Sequence, residues 1–131
     1  MSKILFINFG FANVPHEAPE GFVERVDIPL PRIKNPADPK EAAEAAREMV
    51  QEVIPFLKTK NEYQDVIFGL PELPLVAVAT VSILNGLTGR LPAVSMAIRK
   101  ESGDSFYRLQ RGIYLQELFN DGRELRELTP P

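Results

Sequence analysis

The stretch DVIFGLPELPLVAVATVSILNGLTGRLPAVSMAI, Asp65 to Ile98, decides the fold. Between residues 66 and 98 only Glu72 and Arg90 are charged. Asp65 to Leu70 is a short β-branched and aromatic run that predicts a strand. Pro71-Glu-Leu-Pro74 predicts a turn, and Leu75 to Leu87 a helix that is apolar nearly all round, broken by Thr80 and Ser82. Gly86 or Gly89 is its natural C-cap. Ala93 to Ile98 reads as another strand. A parallel strand covered on both faces needs continuous apolarity, so this segment predicts the centre of an α/β domain. A helix this apolar is either sandwiched inside the domain or meets another subunit, and in so short a chain the subunit interface is the expectation.

Upstream, Lys3 to Phe9 is a buried strand bounded by Gly10, and Gly10 to Gly21, with two prolines, an Asn and His16, is a loop. Val23 to Ile28 alternates as a second, more exposed strand. Pro29 to Pro39 holds too many prolines for regular structure. Asp38 as N-cap and Pro39 at the first helical position start a helix. Its apolar stripe is Ala42, Ala45, Ala46, Met49, Val50, Val53, Ile54 and Leu57, and Pro55 should kink or loosen its last turn. Downstream, Phe106 to Tyr114 reads as a fifth strand and Glu117 to Leu128 as a closing helix with a break at Gly122. This order predicts an α/β layered domain with a mainly parallel sheet.

At 131 residues the chain suits one domain, residues 1–131, and its 44% hydrophobic and 25% charged composition is that of a folded globular protein. The absence of Cys excludes disulfides, thiolate metal sites and cysteine nucleophiles, and a single His excludes a multi-histidine metal site. No metal or cofactor is expected. The apolar run Leu73 to Leu84 is too short to span a bilayer, and no signal pattern follows Ile4 to Ile7, so the expectation is a cytoplasmic protein without membrane contact. The net charge of −3 argues against a sequence-independent binder of duplex DNA. Charge is uneven, however: residues 1–89 carry 8 basic and 12 acidic side chains, whereas residues 90–111 carry five basic and two acidic ones. A cationic stretch in an acidic protein suits an anion, though a mixed solvated surface produces the same count.

In an open α/β sheet, ligands bind outside the carboxyl ends of the strands. The sequence delivers Asn8-Phe9-Gly10-Phe11, Gly69-Leu70-Pro71 and Arg99-Lys100 to those ends. Asn8 breaks an apolar strand; its carboxamide can read a base edge or ribose, or simply end the strand, and Gly10 lets a ligand approach the backbone. Phe9 and Phe11 can stack on a base or pack in the core. Leu70-Pro71-Glu72 precedes a helix N-terminus, where unpaired donors attract anions, but no phosphate-loop or dinucleotide pattern occurs. Arg99 and Lys100 suit phosphates, or are solvated strand-end charges. His16 has no partner spaced to complete a catalytic unit, so no catalytic residue is assigned. Glu41, Glu44, Glu48 and Glu52 read as a solvated helix face. Arg108 and Arg111 fall on opposite faces of the fifth strand, so at most one serves a given site.

Ile4-Leu-Phe-Ile-Asn-Phe9, Gly69-Leu-Pro71, the helix ending Asn85-Gly86-Leu-Thr-Gly-Arg-Leu-Pro92, and Tyr107 to Gln116 with its Leu115-Gln116 together resemble one group. That group is the small CRISPR-associated proteins of type III systems, the Csx-fifteen type, which are similar to CARF nucleotide-sensing domains and to ring nucleases. The chain departs from the pattern at Asn85-Gly86, where the family tends to have His-Gly, and in its longer, proline-rich Gly10 to Pro39. The resemblance implies a Rossmann-like, CARF-like fold and a homodimer, with dimers able to stack around a ligand. It also implies binding of a cyclic oligoadenylate messenger, with cyclic tetra-adenylate the expected ring. Such a protein lowers the free messenger by sequestering it in antiviral signalling, with no fused effector.

Two other functions fit the same residues. A ring nuclease would cleave the messenger by attack of a ribose 2′-hydroxyl, which needs positioning and a charge stabiliser such as Arg99 or Lys100, and no metal. A structural or regulatory α/β module would instead expose a large apolar patch to a protein partner.

Overall fold

Alternating short apolar strands and amphipathic helices give the chain its layers. The computed structural model describes residues 3–9, 22–58, 63, 65–99, 107–109 and 113–128. Its elements in order are β1 (Lys3–Asn8), β2 (Phe22–Asp27), α1 (Pro39–Leu57), β3 (Asp65–Leu70), α2 (Pro74–Thr88), β4 (Ala93–Arg99), β5 (Tyr107–Leu109), β6 (Ile113–Tyr114) and α3 (Leu115–Leu125), followed by a 3-10 turn, Arg126–Leu128. The strand order is β2-β1-β3-β4-β5, parallel from β2 to β4. β5 and β6 both run antiparallel to β4, one along Ala97–Arg99 and the other along Ala93–Val94. The chain is therefore an α/β protein with a mostly parallel sheet. Of the expected fifth strand, Phe106 to Tyr114, the described residues form β5 and β6; residues 106 and 110–112 lie outside them.

Local signals set the helix ends. Asp38 caps α1 by accepting from the Lys40 backbone N–H at 3.1 Å, with Pro39 in the first turn, where its missing donor costs nothing. α1 buries Ala42, Ala45, Ala46, Met49, Val50 and Val53 and leaves Glu44, Glu48 and Glu52 in water. Pro55 does not stop it: the helix runs on to Leu57. α2 ends at Gly89, whose φ of 80° is left-handed and whose N–H reaches the Asn85 carbonyl at 2.8 Å. Among the described residues, adjoining backbone aside, no atom lies within 4 Å of a Cβ built at Gly89 or at Gly86. Gly89→Ala should therefore lose about 1 kcal/mol, from backbone strain alone. Gly86→Ala, at a helical position, should gain up to about 1 kcal/mol. Urea midpoints of the two variants moving in opposite directions would confirm which glycine is the cap; movement in the same direction would refute it.

Both helices that connect parallel strands lie on one face of the sheet, as right-handed crossovers running in the same direction require. There Leu5, Ile7, Phe9 and Phe68 meet Ala42, Ala46, Met49, Val50 and Val53 of α1 and Val76 and Leu84 of α2. The opposite face of the central strands is shielded too: Ile4, Phe6, Asn8, Ile67, Ala93 and Ser95 are all buried. Covering on both sides is why these strands are apolar at most positions, Asn8 and Ser95 being the buried polar exceptions on that face. α2 turns Val76, Ala77, Thr80 and Leu84 inward. Thr80 is fully buried, and its hydroxyl donates to the Val76 carbonyl at 2.7 Å. Outward, α2 shows Leu75, Val78 and Leu87 beside Ser82 and Asn85. The closing helix starts at Leu115 and continues through Gly122, against the break expected there. A glycine lowers helix propensity but removes no hydrogen bond, so α3 tolerates it.

Candidate functional site

Strand order reverses between β1 and β3, because the chain first steps from β1 outward to β2 and then returns past β1 to β3. In open α/β sheets the crevice outside such a reversal, at the carboxyl ends, is where ligands bind. Asn8 pairs with Asp27 of β2 on one side and with Gly69 of β3 on the other. The ladder extends one step further: the Phe9 N–H donates to the Gly69 carbonyl and the Ile28 N–H to the Asn8 carbonyl, both at 2.8 Å.

Side chains alternate across this end. Phe6, Asn8, Arg25, Asp27 and Gly69 share the face opposite α1 and α2. Asn8 is 2% exposed, and its Nδ2 donates to Asp27 Oδ1 at 3.0 Å; Arg25 Nε donates to the same oxygen at 2.9 Å. The Arg25 guanidinium also lies 5.9 Å from the Phe6 ring centroid, a cation–π contact. Gly69 is required by close approach: a Cβ there would sit 2.8 Å from Phe6 Cζ and 3.0 Å from Asn8 Oδ1. The result is a fixed carboxamide at the strand seam, braced by a locally neutral Arg–Asp pair.

The expected site residues divide accordingly. Asn8 and Gly69 meet at the seam. Leu70 and Pro71 are buried beneath the start of α2, Leu70 in an apolar cluster with Ala77 and Val94. Phe9 is fully buried, stacked on Phe68 with centroids 5.9 Å apart and rings 6° from parallel, so of its two readings the core one describes where it lies. Arg99 ends β4 in register with Tyr107, and its side chain lies outside the described residues. Gly10, Phe11, Lys100, His16 and Arg111 lie outside them as well. Sequence reasoning missed Phe6, Arg25 and Asp27. The alternation of β2 puts Arg25 and Asp27 on one side, but nothing local says that this side would lie beside Asn8.

A cleft of about 550 Å³ opens at the other, amino-terminal end of β3 and β4, lined by Asp65, Arg90, Tyr114, Gln116, Glu117 and Asn120 among others. Several of its polar groups bond to one another. The Tyr114 hydroxyl donates to Asp65 Oδ2 at 2.5 Å, Gln116 Oε1 accepts the Leu91 N–H at 3.0 Å, and Gln116 Nε2 donates to Asn120 Oδ1 at 3.4 Å. The first two bonds tie β6 and the start of α3 to β3 and to the approach to β4, and the third lies within α3. Among the described residues, no three His, Cys, Asp or Glu side chains form a group able to hold a metal ion.

Fold and site together define an α/β protein with a polar seam at the carboxyl ends of a mostly parallel sheet. No helix among the described residues is long and apolar enough to cross a membrane. Compared with family models, with curated proteins and with solved structures, the chain matches none.

Proposed function

We propose that this chain is a cytoplasmic, Rossmann-like protein of the CARF-like kind. Acting as a homodimer, it binds and sequesters a cyclic oligoadenylate, cyclic tetra-adenylate first, in type III CRISPR antiviral signalling. The observation that carries the reading is the reversal of strand order at β1 and β3, with Asn8 and Gly69 facing each other at the carboxyl ends. The buried Asn8 carboxamide, bonded to Asp27, holds the strand ends together at the edge of the crevice in which a nucleotide would lie. The two-fold symmetry of a homodimer suits a ligand whose units repeat in a ring.

The anion must be met elsewhere than at Asp27, since the Arg25–Asp27 pair contributes no net charge at the seam. In this reading the phosphates are met by Arg99 and Lys100, which the sequence places at the end of β4 within its cationic stretch. Arg99→Ala should therefore weaken messenger binding by about 1–3 kcal/mol, the range for a lost charged hydrogen bond. An unchanged dissociation constant would remove Arg99 from the site.

The test of the function itself mixes excess protein with radiolabelled cyclic tetra-adenylate and follows gel retardation and ligand integrity over an hour. A retarded, intact ligand supports sequestration. A retarded ligand that becomes linear makes the protein a ring nuclease, and neither retardation nor cleavage sinks both readings.

A further inference from the structure

The closing helix is turned inside out with respect to its own domain. Leu115, Leu118, Gly122 and Leu125 follow at spacings of three, four and three, the a/d repeat of a helix that packs on another helix, and Phe119 widens the stripe. A helix serving its own core would turn this stripe toward the sheet. Here Leu118 is 54%, Phe119 47% and Leu125 60% exposed, and no residue of α3 is buried. The polar side, Gln116, Glu117 and Asn120, is the one that lines the cleft against the sheet. Leu115, at the start, packs on the small cluster of Leu70, Ala77 and Val94 and anchors the helix.

Gly122 sits at the middle of the stripe, at an a position, where glycine weakens a helix. Among the described residues, and leaving aside the adjoining backbone of its own helix, no atom lies within 4 Å of a Cβ built there, so no packing contact described calls for a glycine. A second helix approaching closely at that point does.

The charges beside the stripe identify the second helix. With Leu115 and Gly122 at a and Leu118 and Leu125 at d, Asp121 falls at g, and Arg126, the residue that caps α3 with helical φ and ψ and opens the 3-10 turn, falls at the next e; both are exposed. Five residues from g to e′ is the spacing over which parallel, side-by-side helices exchange ion pairs. A two-fold axis along the pair makes the contact twice. An antiparallel pair would set the acidic flank against itself. We infer that α3 pairs in parallel with α3 of a second copy of this chain, each Asp121 facing the other's Arg126. The 11 residues of α3, fewer than two heptads, are too short to hold on their own, so the pairing acts as part of a subunit seam. It shares the second copy with the proposed function and does not need the messenger.

Light scattering and far-UV circular dichroism of the full, ligand-free chain test it. The wild type should weigh twice the 14.7 kDa chain, or a higher even multiple. The Leu118→Glu/Leu125→Glu double variant should halve that mass with its helix content unchanged. Asp121→Arg should raise the dissociation constant tenfold or more, and adding Arg126→Asp should restore it. A monomeric wild type overturns this pairing together with the homodimer. A dimer indifferent to all the α3 variants overturns the α3 pairing alone and leaves the homodimer to another face, such as Leu75 and Val78 of α2. Loss on Asp121→Arg without restoration by the swap overturns the parallel arrangement.

Discussion

Phe9→Ala is expected to lower the free energy of unfolding by about 3–5 kcal/mol, the range for deleting a buried aromatic ring. At a fixed protein concentration that corresponds to a fall in Tm of roughly 10–20 °C for a chain of this size. The reason is geometric. Phe9 is fully buried and lies parallel to Phe68, and the cluster around it contains Leu5, Ile7, Met49, Val76 and Leu84. These neighbours come from two strands and both crossover helices, so they cannot all collapse into the space a methyl leaves. Phe9→Leu keeps much of the volume and should cost less than about 1.5 kcal/mol. The pair of variants also bears on function. A ring that stacked on a base would contribute about 1–3 kcal/mol of binding, lost in Phe9→Leu. Under the proposed function, a core ring predicts that Phe9→Leu binds cyclic tetra-adenylate within about threefold of wild type while Phe9→Ala melts early. A Phe9→Ala variant that melts within about 3 °C of wild type would mean the ring is not packed as described.

Much of the fold is legible in the sequence because its signals are local. Asp38-Pro39 starts a helix wherever it stands before an amphipathic run, and Asp65 to Leu70 is bounded by a polar residue and a proline turn on either side. Gly89 is distinguished from Gly86 by one thing only, a left-handed φ that the sequence cannot display. The misjudged places are those where tertiary contact overrides propensity. Gly122 looks like a helix break, yet the helix passes through it. The stretch before α3 reads as a strand, and both of its described pieces pair antiparallel with β4. The seam was half legible. Asn8 and Gly69 are conspicuous as a polar residue and a glycine in apolar strands. Arg25 and Asp27 join them only because β2 lies beside β1 in the register Asn8↔Asp27, a long-range pairing that no local pattern encodes. The Tyr63 hydroxyl, which donates to Glu24 Oε2 at 2.7 Å across 39 residues, is hidden for the same reason.

That register makes Gly69 the second sensitive position. Gly69→Val is expected to cost about 3 kcal/mol, the upper end of the usual penalty for overpacking a core. The first added carbon alone would lie 2.8 Å from Phe6 Cζ and 3.0 Å from Asn8 Oδ1, closer than real Cβ atoms normally approach other atoms. Neither neighbour has easy room to give. Phe6 is 5% exposed, with the Arg25 guanidinium near its ring, and Asn8 is tied to Asp27 at 3.0 Å. Moving Asn8 would strain the bond that fixes its carboxamide, so the substitution should lower stability and, under the proposed function, weaken binding of cyclic tetra-adenylate as well. Gly69→Ala should show the same direction with less force, because restricting the unfolded chain returns about 0.4–1 kcal/mol. The clash can be separated from any general intolerance of the site by a cycle with Phe6→Leu. Phe6→Leu removes the atom nearest the new Cβ, so the double variant Phe6→Leu/Gly69→Ala should be more stable than the sum of the two single losses, with a coupling of at least about 0.5 kcal/mol. Additive losses in chemical denaturation would show that Phe6 is not what demands a glycine. A neutral or stabilising Gly69→Ala would show that β1 and β3 have room for a side chain at this point, and the seam would lose the close approach on which its geometry depends.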